Sequence, residues 1–235
     1  MEPLGRPFKL SIIVPVFNER PTIQGVLRQV KGSPYAKEIL VVDDCSTDGT
    51  GDFLEQLADD EIRVIRHDTN RGKGSALRTG LREASGQIVL FQDADLEYDP
   101  ADYPKLVEPI ADGRASVVYG YRIWAKRDIR GSVVNYLGNG FLTGVTNLLY
   151  GSRLKDMEVG YKCFRADVIK ALPLKASRFE IEPEITGRLL RRKVSILQVP
   201  VSYRTRTARE GKKIRWRDGL TALRVLLRLR FGEDW

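Results

Sequence analysis

The sequence predicts an α/β fold: a doubly wound, mostly parallel sheet flanked by helices, with an amphipathic helix at its C-terminal end. Three observations carry that prediction. Apolar runs of strand length alternate with segments of helical spacing over residues 10–120. The runs are continuous rather than alternating, as strands covered on both faces are. Three of them end in acidic or turn-forming clusters, VPVFNER, VVDDCSTDGT and FQDADLEYDP, and such sheets bind ligands beyond the carboxyl ends of their strands.

The elements follow in order. LSIIVPV (10–16) is a buried strand, and helical spacing at 19–31 runs through Ile23, Val26, Leu27 and Val30. ILVV (39–42) is a strand ending at Asp43 and Asp44; Ser46 or Thr47 caps the next turn, and Thr50 caps a helix over 51–58. A strand at 62–65, a helix at 73–84 with Gly86 beyond its end, a strand at 87–91, a helix at 103–111 and a strand at 116–119 complete the regular part. After residue 120 the pattern changes. Residues 122–135 read as a basic loop and the glycine-rich, apolar 136–150 as a packed helix. DMEVGYKCF (156–164) reads as loop then strand, 180–192 as a helix and 194–201 as a strand. A basic loop, YRTRTAREGKK, leads into a last helix at 216–231. There is no internal repeat or low-complexity linker, so a single domain of 235 residues is expected.

Composition excludes several classes. No stretch is long and apolar enough to span a membrane, and the N-terminal MEPLGRPFK lacks the features of a signal peptide. The two cysteines, Cys45 and Cys163, have no metal-binding spacing and fit a reduced cytoplasmic setting. His67 is the only histidine, which rules out a histidine-based zinc site and a Ser-His-Asp triad. The net charge of +8 is concentrated in the Arg/Lys-rich residues 188–230 and points to an anionic partner.

Asp93, Asp95, Glu97 and Asp99 stand at alternate positions after an apolar strand. Extended backbone puts alternate side chains on one face, so the first three converge unless the chain turns after Asp95. Carboxylates so close repel and raise one another's pKa. A hard divalent cation, Mg²⁺ or Mn²⁺, resolves that conflict, and Mg²⁺ is typically held by one or two carboxylates plus substrate phosphates. Asp99, before Pro100, reads instead as a turn or helix cap.

VPVFNE, VVDDCSTDGT, NRGKGSA and DADLE, in this order and spacing, resemble glycosyltransferase family 2, with the GT-A Rossmann-like fold. Within the family, NRGKGSALRTG, DADLE, DMEVGYKCFRADV and the REGKK loop are most similar to polyprenyl-phosphate (dolichol-phosphate) mannosyl- and glucosyltransferases. The resemblance implies an inverting transfer of a hexose from a nucleotide sugar, GDP-mannose or UDP-glucose, to a polyprenyl phosphate at the cytoplasmic membrane face. It implies a donor-binding half (1–120) and an acceptor-binding half (121–235). Pro15, Val16, Phe17 and Glu19, with Asp43 or Asp44, hold base and ribose; Asp93 and Ala94 meet ribose or donor sugar. Asp95 and Glu97 hold the metal, Glu97 standing where this subfamily often has Gln. Arg206 and Lys212 clamp the diphosphate, while Arg122, Arg130 and Arg209 meet the acceptor phosphate. A homo-oligomer or a membrane-subunit partner is compatible with this picture.

Some assignments remain double. NRGKGSA lacks the P-loop spacing; its glycines suit close backbone approach at a helix start, and Lys73 faces either the nucleotide or solvent. Asp156 is a base, an acceptor-orienting group or a cap. A sugar hydroxyl needs a carboxylate base, whereas a phosphate monoester, with its second pKa near 6, attacks unaided. Glu180, Glu182 and Glu184 read first as structural. In the last helix Trp216, Leu220, Leu223, Leu227 and Phe231 form one stripe beside Arg217, Arg224 and Arg228. It is either a core-packed helix with a solvated basic edge or an interfacial helix on anionic lipid. Two other functions fit less well: a family 2 enzyme acting on a glycan or small-molecule hydroxyl, and a basic nucleic-acid-binding or nucleotidyltransferase module. The basic segments lack a stacking platform or reading helix, so no nucleic-acid partner is expected.

Overall fold

The computed structural model describes residues 3–4, 7–57, 59–123, 133–206 and 216–232. One seven-stranded sheet organises them, in the order β3-β2-β1-β4-β6-β5-β7. Its strands are β1 (Leu10–Val16), β2 (Lys37–Asp43), β3 (Ile62–Arg66), β4 (Ile88–Phe91), β5 (Val117–Ile123), β6 (Lys162–Arg165) and β7 (Leu197–Ser202). β1 pairs in parallel with β2 and β4, β2 with β3, and β5 with β7. β6 alone runs antiparallel, between β4 and β5. The expected α/β architecture is therefore the observed one.

The helices are α1 (Arg20–Lys31), α2 (Thr50–Glu55), α3 (Lys73–Glu83), α4 (Tyr103–Ala111), α5 (Val133–Tyr150), α6 (Ala166–Lys170), α7 (Ile181–Arg191) and α8 (Trp216–Phe231). α1 buries the stripe read from its spacing, Ile23, Val26, Leu27 and Val30. The strands β1, β2 and β4 are buried almost end to end, as two-sided cover by helices requires. α2 is shorter than expected, and Thr50 does not cap it. Gly49, at φ +86°, stands at its N-terminus. The Thr50 hydroxyl instead accepts from Glu19 N at 3.1 Å, tying α2 to the start of α1. β5 outruns its expected end and takes in residues 120–123, so the sheet continues across the midpoint of the chain.

Two features depart from the expected packing. Leu142 of α5 and Ala222 and Leu226 of α8 share a cluster with Leu154 and Met157 from the segment that follows α5. The outer side of α5 nonetheless exposes Tyr136, Leu137, Phe141 and Leu148, so it is only half packed. On α8 the core face is Ala222, Val225, Leu226 and Leu229, while Leu220, Leu227 and Phe231 of the predicted stripe are exposed. Neighbouring elements, not the periodicity, decide which apolar face is buried.

At the far end of the sheet, the Glu38 carboxylate accepts from the Ser11 hydroxyl, Ser85 N (2.6 Å) and Lys9 Nζ (2.9 Å). Burial works to raise its pKa, but these hydrogen bonds outweigh burial and lower it to about 2. A depressed carboxylate stabilises the fold above its unfolded pKa, and that contribution fades as pH falls through about 4.5 towards 2. Glu38→Gln is expected to cost about 1–2 kcal/mol at pH 7, discounted for partial exposure, and little at pH 2.5, measured by urea denaturation.

Candidate active site

The carboxyl ends of β1, β2, β4, β5 and β7 open on one edge of the sheet. Because β6 is antiparallel, the loop leading into it, residues 156–161, lies at that same edge. The clusters read from sequence therefore share one side of the molecule.

The acidic row does not stay extended. Leu96 adopts φ +59° and the Asp95 carboxylate accepts from Glu97 N at 3.1 Å, so the chain turns at this point. The turn separates the acids into two groups. Asp93 faces Lys73, whose ammonium lies 2.7 Å from Asp93 Oδ1 and 3.2 Å from Glu182 Oε1. Lys162, fully buried, donates to the other Glu182 oxygen. Lys73 thus faces neither solvent nor open space. Glu182, read first as structural, belongs to the edge, unlike Glu184, which accepts from Arg188 and the 175–176 backbone, and Glu180, which accepts from Ser177 N and Arg178 N. Asp99 accepts from Ala101 N at 2.9 Å, the expected cap.

Asp95 and Glu97 form the second group, around Arg206. The Arg206 guanidinium donates to Asp95 Oδ2 at 2.8 Å and to both Glu19 oxygens at 3.0 and 3.2 Å. Arg206 N donates to Glu97 Oε1 at 2.9 Å, and the Tyr203 hydroxyl to Glu97 Oε2 at 3.0 Å. Burial, reinforced by the charges of Asp93 and Glu97 and opposed by Arg206, pushes the Asp95 carboxyl up to about 7. The guanidinium sits where a cation is electrostatically required. Among the described residues no group of three or more His, Cys, Asp or Glu side chains is gathered as a metal cage. Two carboxylates with substrate phosphates suffice for Mg²⁺ or Mn²⁺, so Asp95 and Glu97 fit the ion provided Arg206 moves onto the phosphates.

At the end of β2 the two aspartates divide. Asp44 accepts from His67 Nδ1 (2.7 Å), Arg71 N (2.9 Å) and Gly72 N (2.6 Å) and is a structural anchor for the 71–72 turn. Asp43 accepts from Ser46 N, but its buried Oδ2 has no hydrogen-bond partner, with Arg66 Nε 3.5 Å away. Asp43 is therefore the one of the pair with capacity left for a ligand. Val16 is buried, its carbonyl accepting from Asp44 N, and Pro15 and Phe17 are partly exposed beside it. Ala94 is buried, its carbonyl accepting from Thr22 Oγ1. The NRGKGSA glycines approach protein backbone: a Cβ at Gly72, already at φ +92°, would stand 2.5 Å from Ser177 O.

Asp156 is held bidentately by Arg122, Nε to Oδ2 at 2.7 Å and Nη2 to Oδ1 at 2.8 Å, and also accepts from Arg122 N. Burial works against the charged form, but the guanidinium overcomes it and lowers the Asp156 pKa. A carboxylate so held is a poor proton acceptor. Arg130, Arg209 and Lys212 lie outside the described residues.

The sequence reading missed Gly160, Tyr98, Tyr203 and Lys162. A Cβ at Gly160 would stand 2.2 Å from Asp93 Oδ2, and Gly160 N donates to the Tyr98 hydroxyl at 2.9 Å. Gly160→Ala is expected to displace Asp93 and cut turnover about tenfold or more, with a much smaller loss in thermal stability. Steady-state kinetics and a melting curve check this. The DMEVG string offered the only signal for it.

A parallel sheet with one antiparallel strand and an acidic row at the end of β4 is the GT-A architecture of nucleotide-sugar enzymes. Comparison with known proteins identifies the family: residues 11–172 match glycosyl transferase family 2, and the chain belongs to it. It is 30% identical over 217 residues to the undecaprenyl-phosphate mannosyltransferase of Micrococcus luteus, covering 87% of each chain. It is 29% identical over 220 residues to the dolichol-phosphate mannosyltransferase of Pyrococcus furiosus, covering 87% of this chain and 59% of that protein. Among solved structures, the glucosyl-3-phosphoglycerate synthase of Mycobacterium tuberculosis, in complex with Mn²⁺, uridine diphosphate and glucosyl-3-phosphoglycerate, superposes with a TM-score of 0.74. That likeness, at 23% identity over 97% of this chain and 82% of the other, concerns the fold.

Proposed function

We propose that this glycosyltransferase moves a hexose from a nucleoside-diphosphate sugar to a polyprenyl phosphate at a membrane surface, with inversion at the anomeric carbon. The observation that supports it most is the convergence of Asp95 and Glu97 on the Arg206 guanidinium at the carboxyl edge of the sheet. The names of the Micrococcus and Pyrococcus relatives supply the lipid-phosphate acceptor class.

In this reading Asp43 and the 15–19 segment hold base and ribose, and Asp95 and Glu97 hold Mg²⁺ or Mn²⁺. When bound, the ion would supply positive charge to the diphosphate and so improve it as a leaving group. Arg206 leaves the acids and donates to the phosphates, the group to which Lys212 is also assigned. Lys73 and Glu182 fix the rotamer of Asp93 against the donor. An oxygen of the acceptor phosphate attacks the anomeric carbon, the bond from that carbon to the diphosphate oxygen breaks, and nucleoside diphosphate departs. The acceptor, largely a dianion at pH 7, gives up no proton, so no base is required. Asp156 orients Arg122, and with Arg130 and Arg209 this arginine meets the acceptor phosphate. The division into a donor half and an acceptor half at residue 120 belongs to the same reading.

Among the described residues no helix is long and apolar enough to cross a membrane. Leu137, Phe141 and Leu148 of α5 are exposed, and on α8 the exposed Leu227 and Phe231 stand three residues from the exposed Arg224 and Arg228. Apolar side chains beside arginines suit an interfacial seat on anionic lipid, which would bring the edge to its acceptor. Incubation with radiolabelled GDP- and UDP-sugars, Mn²⁺ and polyprenyl phosphate should yield a lipid-extractable product. Label passing only to water-soluble acceptors would overturn the lipid part of the reading.

A further inference from the structure

The loop from Asp156 to Gly160 bridges the two functions of the edge. At one end Asp156 is fixed to Arg122, on the acceptor side; at the other Gly160 touches Asp93, on the donor side. Glu158 stands midway. Its Oε1 is buried with no hydrogen-bond partner, among the few such atoms in the described residues. The charged groups acting on it are Glu182, Lys162, Arg122 and Asp156. Each carboxylate and ammonium around it has its own partner: Asp156 with Arg122, and Glu182 with Lys162 and Lys73. Burial first, and then the negative charge of Glu182, push the Glu158 carboxyl up to about 7 against the pull of Lys162 and Arg122. Glu182 Oε1 also lacks a hydrogen bond but has the Lys73 ammonium 3.2 Å away, whereas Glu158 Oε1 has neither; an oxygen left so incurs a cost, and such costs concentrate where a ligand completes the bonding.

We propose that Glu158 is a specificity-determining residue that hydrogen-bonds a hydroxyl of the transferred hexose, reading the sugar's configuration independently of the nucleotide. Epimeric hexoses differ only in where their hydroxyls point, and a buried polar group left unpaired by the wrong epimer gives strong discrimination. The inference rests on the nucleotide-sugar reading above but not on the lipid acceptor.

The test compares epimeric donors that share a base, UDP-glucose with UDP-galactose and GDP-mannose with GDP-glucose, so that base recognition cancels. For wild type, Glu158→Ala and Glu158→Gln, kcat/KM is measured as nucleoside diphosphate release, together with Kd for free UDP and GDP and the melting temperature. The expected result is a change of at least about tenfold in the epimer selectivity of Glu158→Ala, and a smaller change in Glu158→Gln. Nucleoside diphosphate Kd stays within about twofold, and neither variant melts below wild type, because an unsatisfied buried carboxyl is lost. Unchanged selectivity in both variants overturns the proposal, as does a lowered melting temperature with selectivity intact, the mark of a structural residue. A wild type that binds nucleoside diphosphates but no nucleotide sugar removes the nucleotide-sugar reading and this proposal together.

Discussion

Asp95→Asn is expected to lower sugar transfer by about 10²–10³-fold or more while the protein stays folded. In the proposed mechanism this carboxylate would hold, with Glu97, the ion that offsets the diphosphate's charge, and charge stabilisation of a leaving group is worth several kcal/mol. The stability side follows from the electrostatics. Burial and the neighbouring charges of Asp93 and Glu97 already push the Asp95 carboxyl up to about 7. Neutralising it removes repulsion and also weakens the pair with Arg206, 2.8 Å away. The two effects oppose, and the net change in unfolding free energy should stay within about 1 kcal/mol. A transfer assay beside a urea melt separates the outcomes: a variant that is inactive because it is unfolded would contradict the argument, and so would one that keeps a tenth of the activity.

Arg122→Met carries the largest expected stability loss, about 3–5 kcal/mol, because it leaves the Asp156 carboxylate buried beside an apolar side chain. Asp156→Asn, which strands the guanidinium instead, should cost a comparable amount. Replacing both by apolar residues should recover much of the loss, since the pair is nearly neutral against a hydrophobic substitute. The pH dependence has a definite sign. The Asp156 pKa is lowered in the fold, so its contribution is present at neutral pH and is lost as pH falls below the ordinary carboxylate range. A urea-denaturation double-mutant cycle at pH 7 reads the coupling directly. Activity adds a second discriminator. Asp156→Asn should raise KM for the acceptor much more than it lowers kcat, leaving the pH–rate profile in place. A base role would instead remove the acidic limb of the profile, where the base becomes protonated, as expected for transfer to a hydroxyl.

Much of this architecture is legible in the residues themselves. Continuous apolar runs such as Ile12–Val14 and Ile39–Val42, alternating with helical spacing, read as two-sided strands and are buried as such, and the acids that follow them mark the ligand edge. What the pattern does not show is long-range pairing. Nothing local in KCFR announces an antiparallel strand between β4 and β5, yet that reversal is what carries Glu158 and Gly160 to the edge. Lys73 is ambiguous by sequence because its partners, Asp93 and Glu182, are 20 and 109 positions away. The choice between Asp43 and Asp44 rests on the histidine at 67 and the backbone at 71–72, which the spacing alone does not bring together. α8 illustrates a different limit. Its helical periodicity gives two apolar faces, and only the position of α5 and α7 decides that Val225, Leu226 and Leu229 turn inward.

Arg206 connects these observations. Its guanidinium pairs with Asp95 and Glu19, and a donor diphosphate with its metal would compete for the same groups. The most direct measurement is therefore the linkage between metal and donor. Isothermal titration of the wild type with the transferred nucleotide sugar, with and without Mn²⁺, should show the ion tightening donor binding at least about tenfold, and Asp95→Asn should abolish that gain. Donor affinity independent of Mn²⁺ in the wild type, or a gain that survives in Asp95→Asn, would contradict the claim that the acids closing β4 hold the cation for the diphosphate.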